Sequence, residues 1–141
     1  MKSGMRFIKS SLEYRRIDEI QFLADGLRGI YALYQKTGAS YELVYVGMSG
    51  RDATGRIKGR LKRHKRTKSE SWTHFSYYEV WDNITELEIR ELEGIFRHFC
   101  RFASGANLLN LQQTYKPLNA LRRSTEKEVG LPAINRKRLS V

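Results

Sequence analysis

Two short aromatic runs separated by a glycine-containing turn are the feature that most constrains the fold of this chain. The runs 28–35 and 41–48 are rich in β-branched and aromatic residues, which favour strands. Between them lies the turn 36–40, where Gly38 can take a positive φ without strain. Because two strands joined by a short glycine-containing loop form an antiparallel hairpin, we expect the fold to be built around one.

Side-chain alternation along the second strand separates two sets of residues. Tyr45 and Gly47 share one face of the strand, and Val44, Val46 and Met48 share the other. Because glycine has no side chain, the face that carries Tyr45 has open space beside the ring. That space suits a bound ligand and suits close packing equally well.

A strongly basic segment, 55–66, follows the hairpin and predicts a helix. At about 100° per residue, Ile57, Leu61 and His64 form its buried stripe. Arg60 lies on the edge of that stripe, so its stem can pack on the core while its guanidinium points along the sheet. The outward cations are candidates for contact with DNA: Arg56, Lys58, Lys62, Arg63, Lys65 and Arg66.

A third strand and a second helix complete the central part of the chain. The segment 71–81 alternates aromatic and polar residues, as a strand does. Thr85 and Glu88 have the spacing of a capping box, which predicts a helix start. This helix carries Glu93 at the edge of its apolar stripe, beside Gly94. We expect an α/β fold of the α+β type, with a small three-stranded antiparallel sheet flanked by helices.

The two ends of the chain are interpreted as additions to this central part. The segment 11–27 mixes apolar and charged residues at helical spacing, so we expect residues 1–27 to form a helical N-terminal extension. The central domain spans residues 28–123 and ends in a helix that begins near Pro117. Residues 124–141 are polar and basic, and we expect a weakly ordered tail.

The charge of the chain indicates its class of partner. The 141 residues carry a formal net charge of +11, which favours nucleic acid over an anionic membrane. A single cysteine excludes an internal disulfide bond. No run of eighteen apolar residues and no signal-peptide pattern is present, so we expect a cytoplasmic protein with no membrane partner.

Several of these residues together resemble the GIY-YIG endonuclease family. The triplets Gly-Ile-Tyr at 29–31 and Tyr-Val-Gly at 45–47 resemble the pair of triplets that names the family. Arg60 and His64 resemble the family's arginine and the histidine four residues after it, and Glu93 resembles its helical glutamate. The match covers residues 28–111 and implies the same small sheet with flanking helices.

The resemblance implies a metal-dependent DNA endonuclease and assigns roles to its tyrosines. Tyr31 is implied as the general base, with Tyr45 as an orienting partner or alternate. A tyrosine needs a lowered pKa for this role, and we expect Arg60 and a nearby metal ion to lower it by stabilising phenolate. His64 is a candidate for orienting the water or a tyrosine. Either Asn107 or Asn110 corresponds to the family's asparagine, which would hold the active-site loop.

The charged residues Glu93 and Arg60 suit the chemistry of phosphodiester hydrolysis. Mg²⁺ (or Mn²⁺) commonly binds through one or two carboxylates plus phosphate oxygens and water, so Glu93 alone is a sensible protein ligand. Arg60 offers a planar, permanently charged fork to the same phosphate. Taken alone, Glu93 is equally compatible with a surface ion pair to Arg97, four residues further along the chain.

Other functions fit parts of the same sequence. A binding module for structured DNA or RNA with no catalysis is the main alternative. A membrane-surface protein would need an exposed apolar face on the basic helix, and a toxin-type nuclease would use identical chemistry. Because one active site cuts one strand, cleavage of both strands requires a homodimer or two sequential nicks. Since nothing in the sequence resembles a separate sequence-reading domain, we expect little site specificity unless a protein partner supplies the targeting.

Overall fold

The computed structural model describes residues 4–50, 56–68, 70–102 and 115–134. Within them lie four strands, a 3-10 helix and three α-helices. In chain order these are β1 (Ile8–Arg16), the 3-10 helix (Ile17–Phe22), β2 (Gly29–Thr37), β3 (Ser40–Ser49), α1 (Arg56–Lys68), β4 (His74–Val80), α2 (Glu86–Phe102) and α3 (Lys116–Val129).

The strands form one antiparallel sheet in the order β1-β4-β2-β3. The expected hairpin is confirmed as β2 and β3. Along it, Gly29 lies opposite Ser49, Tyr31 lies opposite Gly47, and Thr37 lies opposite Ser40 next to the turn. β3 is an edge strand of this sheet. In the described part of the chain the sheet has four strands, so the expectation of a three-stranded sheet is wrong by one strand.

The additional strand, β1, comes from the segment that we expected to be helical. Instead of a helical extension, residues 8–16 pair along β4, and only the short 3-10 helix Ile17–Phe22 follows. The helical interpretation is wrong because Glu13 and Arg15, which are charged residues between the apolar positions of this segment, are buried in the sheet. Buried charges break the apolar–polar alternation by which a strand is recognised.

Each face of the sheet packs against its own helix. Ile57 and Leu61 of α1 are fully buried in one apolar cluster with Tyr31, Leu33 and other core residues. On the other face, Ile89 of α2 packs in a second cluster, which includes Ile30, Val80 and Ile84. No helix among the described residues combines the length and the apolar character needed to cross a membrane.

The two predicted central helices are confirmed, and local side-chain bonds explain the start of α2. The Thr85 hydroxyl accepts from the Glu88 amide at 3.2 Å, and the Glu88 carboxylate accepts from the Thr85 amide at 2.8 Å. This reciprocal pair is the capping box expected from the sequence. α1 contains no acidic residue. Lys65, Arg66 and Lys68 lie in its last turn, where positive charges interact favourably with the helix dipole.

The C-terminal segment is folded where we expected a weakly ordered tail to begin. The predicted helix near Pro117 continues as α3 to Val129, and Thr125 and Glu126 are buried against β1. The Glu126 carboxylate accepts from Arg15 at 2.8 Å and from Arg122 at 2.9 Å. The tail prediction failed for residues 124–129 because polar composition was taken to mean solvent exposure. Residues 135–141 lie outside the described residues.

We expect Glu126→Ala to destabilise the protein by about 3–5 kcal/mol, since it leaves the Arg15 and Arg122 guanidinium groups buried without their shared carboxylate. Urea unfolding measures the change. Glu91→Ala is the control, because Glu91 is exposed on α2 and should change the free energy of unfolding by no more than about 0.5 kcal/mol. Equal stability of the two variants would contradict the docking of α3 on β1.

Candidate active site

Strand pairing places Gly47 directly opposite Tyr31, and the glycine makes room for the tyrosine ring. A Cβ atom at Gly47 would lie 2.5 Å from the Tyr31 hydroxyl oxygen and 2.8 Å from a ring carbon of Tyr45. The two tyrosine rings are 6.1 Å apart between centroids. Glycine is therefore required at position 47 for both tyrosines to occupy this face of the hairpin.

Helix α1 brings His64 to the same place. The His64 Nε2 atom is 3.0 Å from the Tyr31 hydroxyl, and the His64 ring is 4.9 Å from the Tyr45 ring between centroids. Leu61 and Ile57 are buried one and two turns before His64, respectively, so the apolar stripe of α1 fixes the histidine against the hairpin. The three rings form one aromatic cluster on the α1 side of the sheet.

Burial dominates the ionisation of this cluster. It raises the pKa of Tyr31 well above its usual range, and Tyr45 raises it further, whereas the Arg60 charge acts in the opposite direction. The pKa of His64 is lowered by burial and by the nearby charges of Lys68, Arg60 and Arg63. The expectation of a lowered Tyr31 pKa does not hold for the protein alone, because desolvation of the phenolate outweighs the arginine.

The protonation states that follow define one hydrogen bond. At neutral pH Tyr31 keeps its proton and His64 is uncharged, so a hydrogen bond between neutral groups joins them, and the phenol O–H is its donor in the tautomer whose Nε2 carries no proton. In that tautomer Nδ1 of His64 carries the remaining ring proton. In that arrangement the histidine can take a proton from the tyrosine.

Among the described residues, two buried nitrogen atoms of α1 are unsatisfied. Within the described part of the protein, Arg60 Nε and His64 Nδ1 are buried and have no hydrogen-bond partner. Arg60 is always protonated, so its Nε–H is a donor without an acceptor, which costs about 1–3 kcal/mol. An anion that accepts this bond beside Tyr31 would recover that energy.

Helix α2 runs antiparallel to the edge strand β3 and carries Glu93. Near the start of α2, Glu86 lies against Gly50, and further along the helix Arg97 donates to the Val46 carbonyl at 3.3 Å. Seven helical residues from Glu86 to Glu93 advance about 10.5 Å, and three strand residues from Gly50 to Gly47 span about 10 Å. Glu93 therefore lies at the level of Gly47, on the side of α2 that carries Arg97.

The Glu93 carboxylate already has a protein partner. Arg97 binds it at 2.6 Å, and the Glu93 side chain is 14% exposed. Among the described residues, Glu93 forms no hydrogen bond or ion pair with Tyr31, Arg60 or His64. The described residues also contain no group of three or more His, Cys, Asp or Glu side chains arranged to hold a metal ion.

The outward cations of α1 do not form one uniform surface. Lys58 is held by the Gln21 carbonyl and by Asp25, and Arg56 donates to the Gly50 carbonyl at 3.2 Å. The remaining candidates are exposed and form no ion pair with any other residue that the structure describes: Lys62, Arg63, Lys65 and Arg66.

Two further residues at the site were not among the predicted ones. Lys68 places its ammonium group 5.8 Å from the centre of the Tyr45 ring and lowers the pKa of His64. The sequence could have indicated Lys68 by its position in line with Ile57 and Leu61 on the helix, since a lysine on an apolar stripe is unusual. Arg97 joins Glu93 to β3, which the sequence showed only as i,i+4 spacing. Asn107 and Asn110 lie outside the described residues.

Comparison with known proteins gives no match: no family model, no curated protein and no solved structure corresponds to this chain. The chemistry of the site therefore rests on its own residues.

We expect Gly47→Ala to destabilise the protein by about 1–3 kcal/mol, because the new methyl group must displace the Tyr31 hydroxyl or the Tyr45 ring. Gly94→Ala is the matched control. A Cβ there meets nothing within 4 Å, and the change should stabilise α2 by about 1 kcal/mol. Urea unfolding of both variants measures the difference, and a stabilising effect at position 47 would contradict the close approach described here.

Proposed function

We propose that this protein is a divalent-metal-dependent endonuclease that hydrolyses phosphodiester bonds in DNA, through a site of the GIY-YIG type. The observation that carries the proposal is the unpartnered Arg60 Nε–H beside the Tyr31–His64 hydrogen bond. A permanent positive charge with a free donor, next to a phenol and a neutral imidazole, suits a phosphate under attack by water.

The proposed proton path uses the hydrogen bond between Tyr31 and His64. Water that attacks the phosphorus atom gives up a proton to the Tyr31 oxygen, while the Tyr31 proton passes to Nε2 of His64. The bond from phosphorus to the leaving sugar oxygen breaks, that oxygen takes a proton from solvent, and the imidazolium then returns its proton to solvent. Tyr31 thereby accepts one proton and donates another, and no free phenolate is required. This path accommodates a Tyr31 pKa that burial raises. The imidazolium that forms is balanced by the negative charge that develops on the phosphate.

Arg60 and Glu93 have distinct roles in this proposal. The Arg60 guanidinium binds a non-bridging phosphate oxygen and stabilises the charge that accumulates there. The donor chemistry of Glu93, a single and mostly buried carboxylate, fits Mg²⁺ or Mn²⁺ held mainly by phosphate oxygens and water. When bound, such an ion supplies Lewis-acid polarisation of the phosphate. For Glu93 to take part, Arg97 must share or release its carboxylate.

A second candidate function is a binding module for structured DNA or RNA that performs no catalysis. The Glu93–Arg97 ion pair at 2.6 Å favours it, since a carboxylate neutralised by arginine is a weaker metal ligand. The two candidates share the phosphate site at Arg60 and differ only in cleavage.

We expect wild-type protein to nick supercoiled plasmid DNA in the presence of Mg²⁺ or Mn²⁺, and we expect Glu93→Gln to abolish the nicking. Gel electrophoresis follows the conversion of supercoiled to open-circular DNA. Glu91→Gln, on the exposed part of the same helix, is the charge-matched control and should nick at the wild-type rate. Cleavage that persists in folded Glu93→Gln protein would contradict the metal role. Salt-sensitive binding without cleavage by wild type would support the binding module.

We expect the pH dependence of kcat/KM to have an acid limb that belongs to His64. The limb should lie below the usual histidine pKa of about 6.5, because burial and three cations depress the pKa of His64. As pH falls through that pKa, protonated Nε2 can no longer accept from Tyr31, and the rate drops. Lys68→Gln removes one of those cations, so the limb should move to higher pH. Lys62→Gln is the control, and an identical shift in both variants would contradict the assignment.

A further inference from the structure

Six of the eight cations of α1 are sorted by residue type into two rows. Arg56, Arg60 and Arg63 have the spacing i, i+4, i+7, which places them along one side of the helix. A second row, Lys58, Lys62 and Lys65, repeats the same spacing two residues later. An offset of two residues is about 200° around the helix, so the arginine row and the lysine row lie on opposite flanks.

The arginine row faces the candidate active site. Arg60 acts on the Tyr31 hydroxyl, and Arg60 and Arg63 both lower the pKa of His64. At the start of the row, the Arg56 guanidinium donates to the Gly50 carbonyl, just beyond the end of β3. The row therefore begins beside the hairpin, passes the tyrosines and continues to an exposed arginine.

The lysine row faces the N-terminal part of the fold. Lys58 Nζ lies 3.4 Å from the Gln21 carbonyl oxygen and 3.9 Å from the Asp25 carboxylate, next to the 3-10 helix. Lys62 and Lys65 continue this flank as exposed side chains. An acidic residue at the base of the row partly neutralises it, and neither Lys62 nor Lys65 contributes to the shifted pKa values of Tyr31 and His64.

We propose that the arginine row is the track for one sugar-phosphate strand of a nucleic acid, and that Arg63 binds the phosphate next to the one held at Arg60. The lysine row does not contact that strand. Arginine suits this position because its planar fork binds phosphate with two parallel hydrogen bonds, whereas lysine acts as a point charge. This inference rests on the proposed function for the identity of the phosphate at Arg60.

The length of the row suits several phosphates. Seven residues from Arg56 to Arg63 rise about 10.5 Å along α1. One strand of a duplex presents a phosphate for about every 3.4 Å of its axis, and its phosphates are farther apart along the strand itself, so the row spans at most about three phosphate steps. Arg63 is exposed and, among the described residues, its side chain has no ion-pair partner, which leaves it available to an incoming strand.

A charge-matched pair of variants tests the proposal. Arg63→Gln and Lys62→Gln each remove one exposed positive charge from the same helix, on opposite flanks. The measurement is fluorescence anisotropy of a short labelled duplex at increasing NaCl, without divalent metal, so that no cleavage is needed. We expect Arg63→Gln to reduce the slope of log K against log[salt] by about 0.9, the value for one lost phosphate contact. Lys62→Gln should leave the slope unchanged.

A further variant, Arg63→Lys, and a binding measurement with lipid vesicles extend the test. Arg63→Lys keeps the charge and loses the fork, so we expect weaker binding than wild type with a nearly unchanged salt slope. An equal reduction of the salt slope in Arg63→Gln and Lys62→Gln would overturn the proposed phosphate track, because it would mean that DNA responds to a diffuse electrostatic field around α1. Binding of wild type to anionic lipid vesicles but not to DNA would also overturn it. A flank-dependent slope in a protein that does not nick plasmid would keep the track and reject only the catalytic proposal.

Discussion

The register of the β2–β3 hairpin is the constraint on which the rest of the site depends. It sets Gly47 opposite Tyr31 and leaves the space into which the tyrosine hydroxyl projects. A slip of one residue would turn Tyr31 to the α2 side of the sheet and separate it from His64. A separate contact aligns α2 with β3, since the Arg97 bond to the Val46 carbonyl brings Glu93 to the level of Gly47.

The electrostatics of the site follow from burial more than from pairing. Because Tyr31 is almost fully buried, its phenol keeps its proton in spite of the neighbouring Arg60 charge. The same burial and three cations keep His64 neutral, so the pair is joined by a hydrogen bond between neutral groups. What remains uncompensated is the positive charge of α1, which has no acidic residue of its own. An anion at Arg60 would complete this arrangement.

The parts of the fold with regular hydrophobic periodicity were predictable, and those stabilised by buried charge were not. The hairpin, α1 and the capped start of α2 each follow a local rule that the sequence states directly. β1 and α3 depend on each other, because Arg15 on β1 and Glu126 on α3 are both buried and are paired with each other. The two residues are 111 positions apart in the sequence, so no local pattern shows the pairing. Each residue alone reads as a surface charge. The direction of the Tyr31 pKa shift was likewise hidden, because it depends on how deeply the finished fold buries the ring.

The most direct test of the account is the Arg60 Nε–H resonance in a ¹⁵N–¹H NMR spectrum, followed while a short duplex is added without divalent metal. This donor is buried and, within the described part of the chain, has no acceptor, whereas Arg66 is exposed on the same helix and serves as the internal reference. The account predicts that the Arg60 Nε–H signal moves markedly and saturates with the duplex, while the Arg66 signal moves little. An Arg60 signal that stays in place as binding saturates would contradict a phosphate site beside Tyr31.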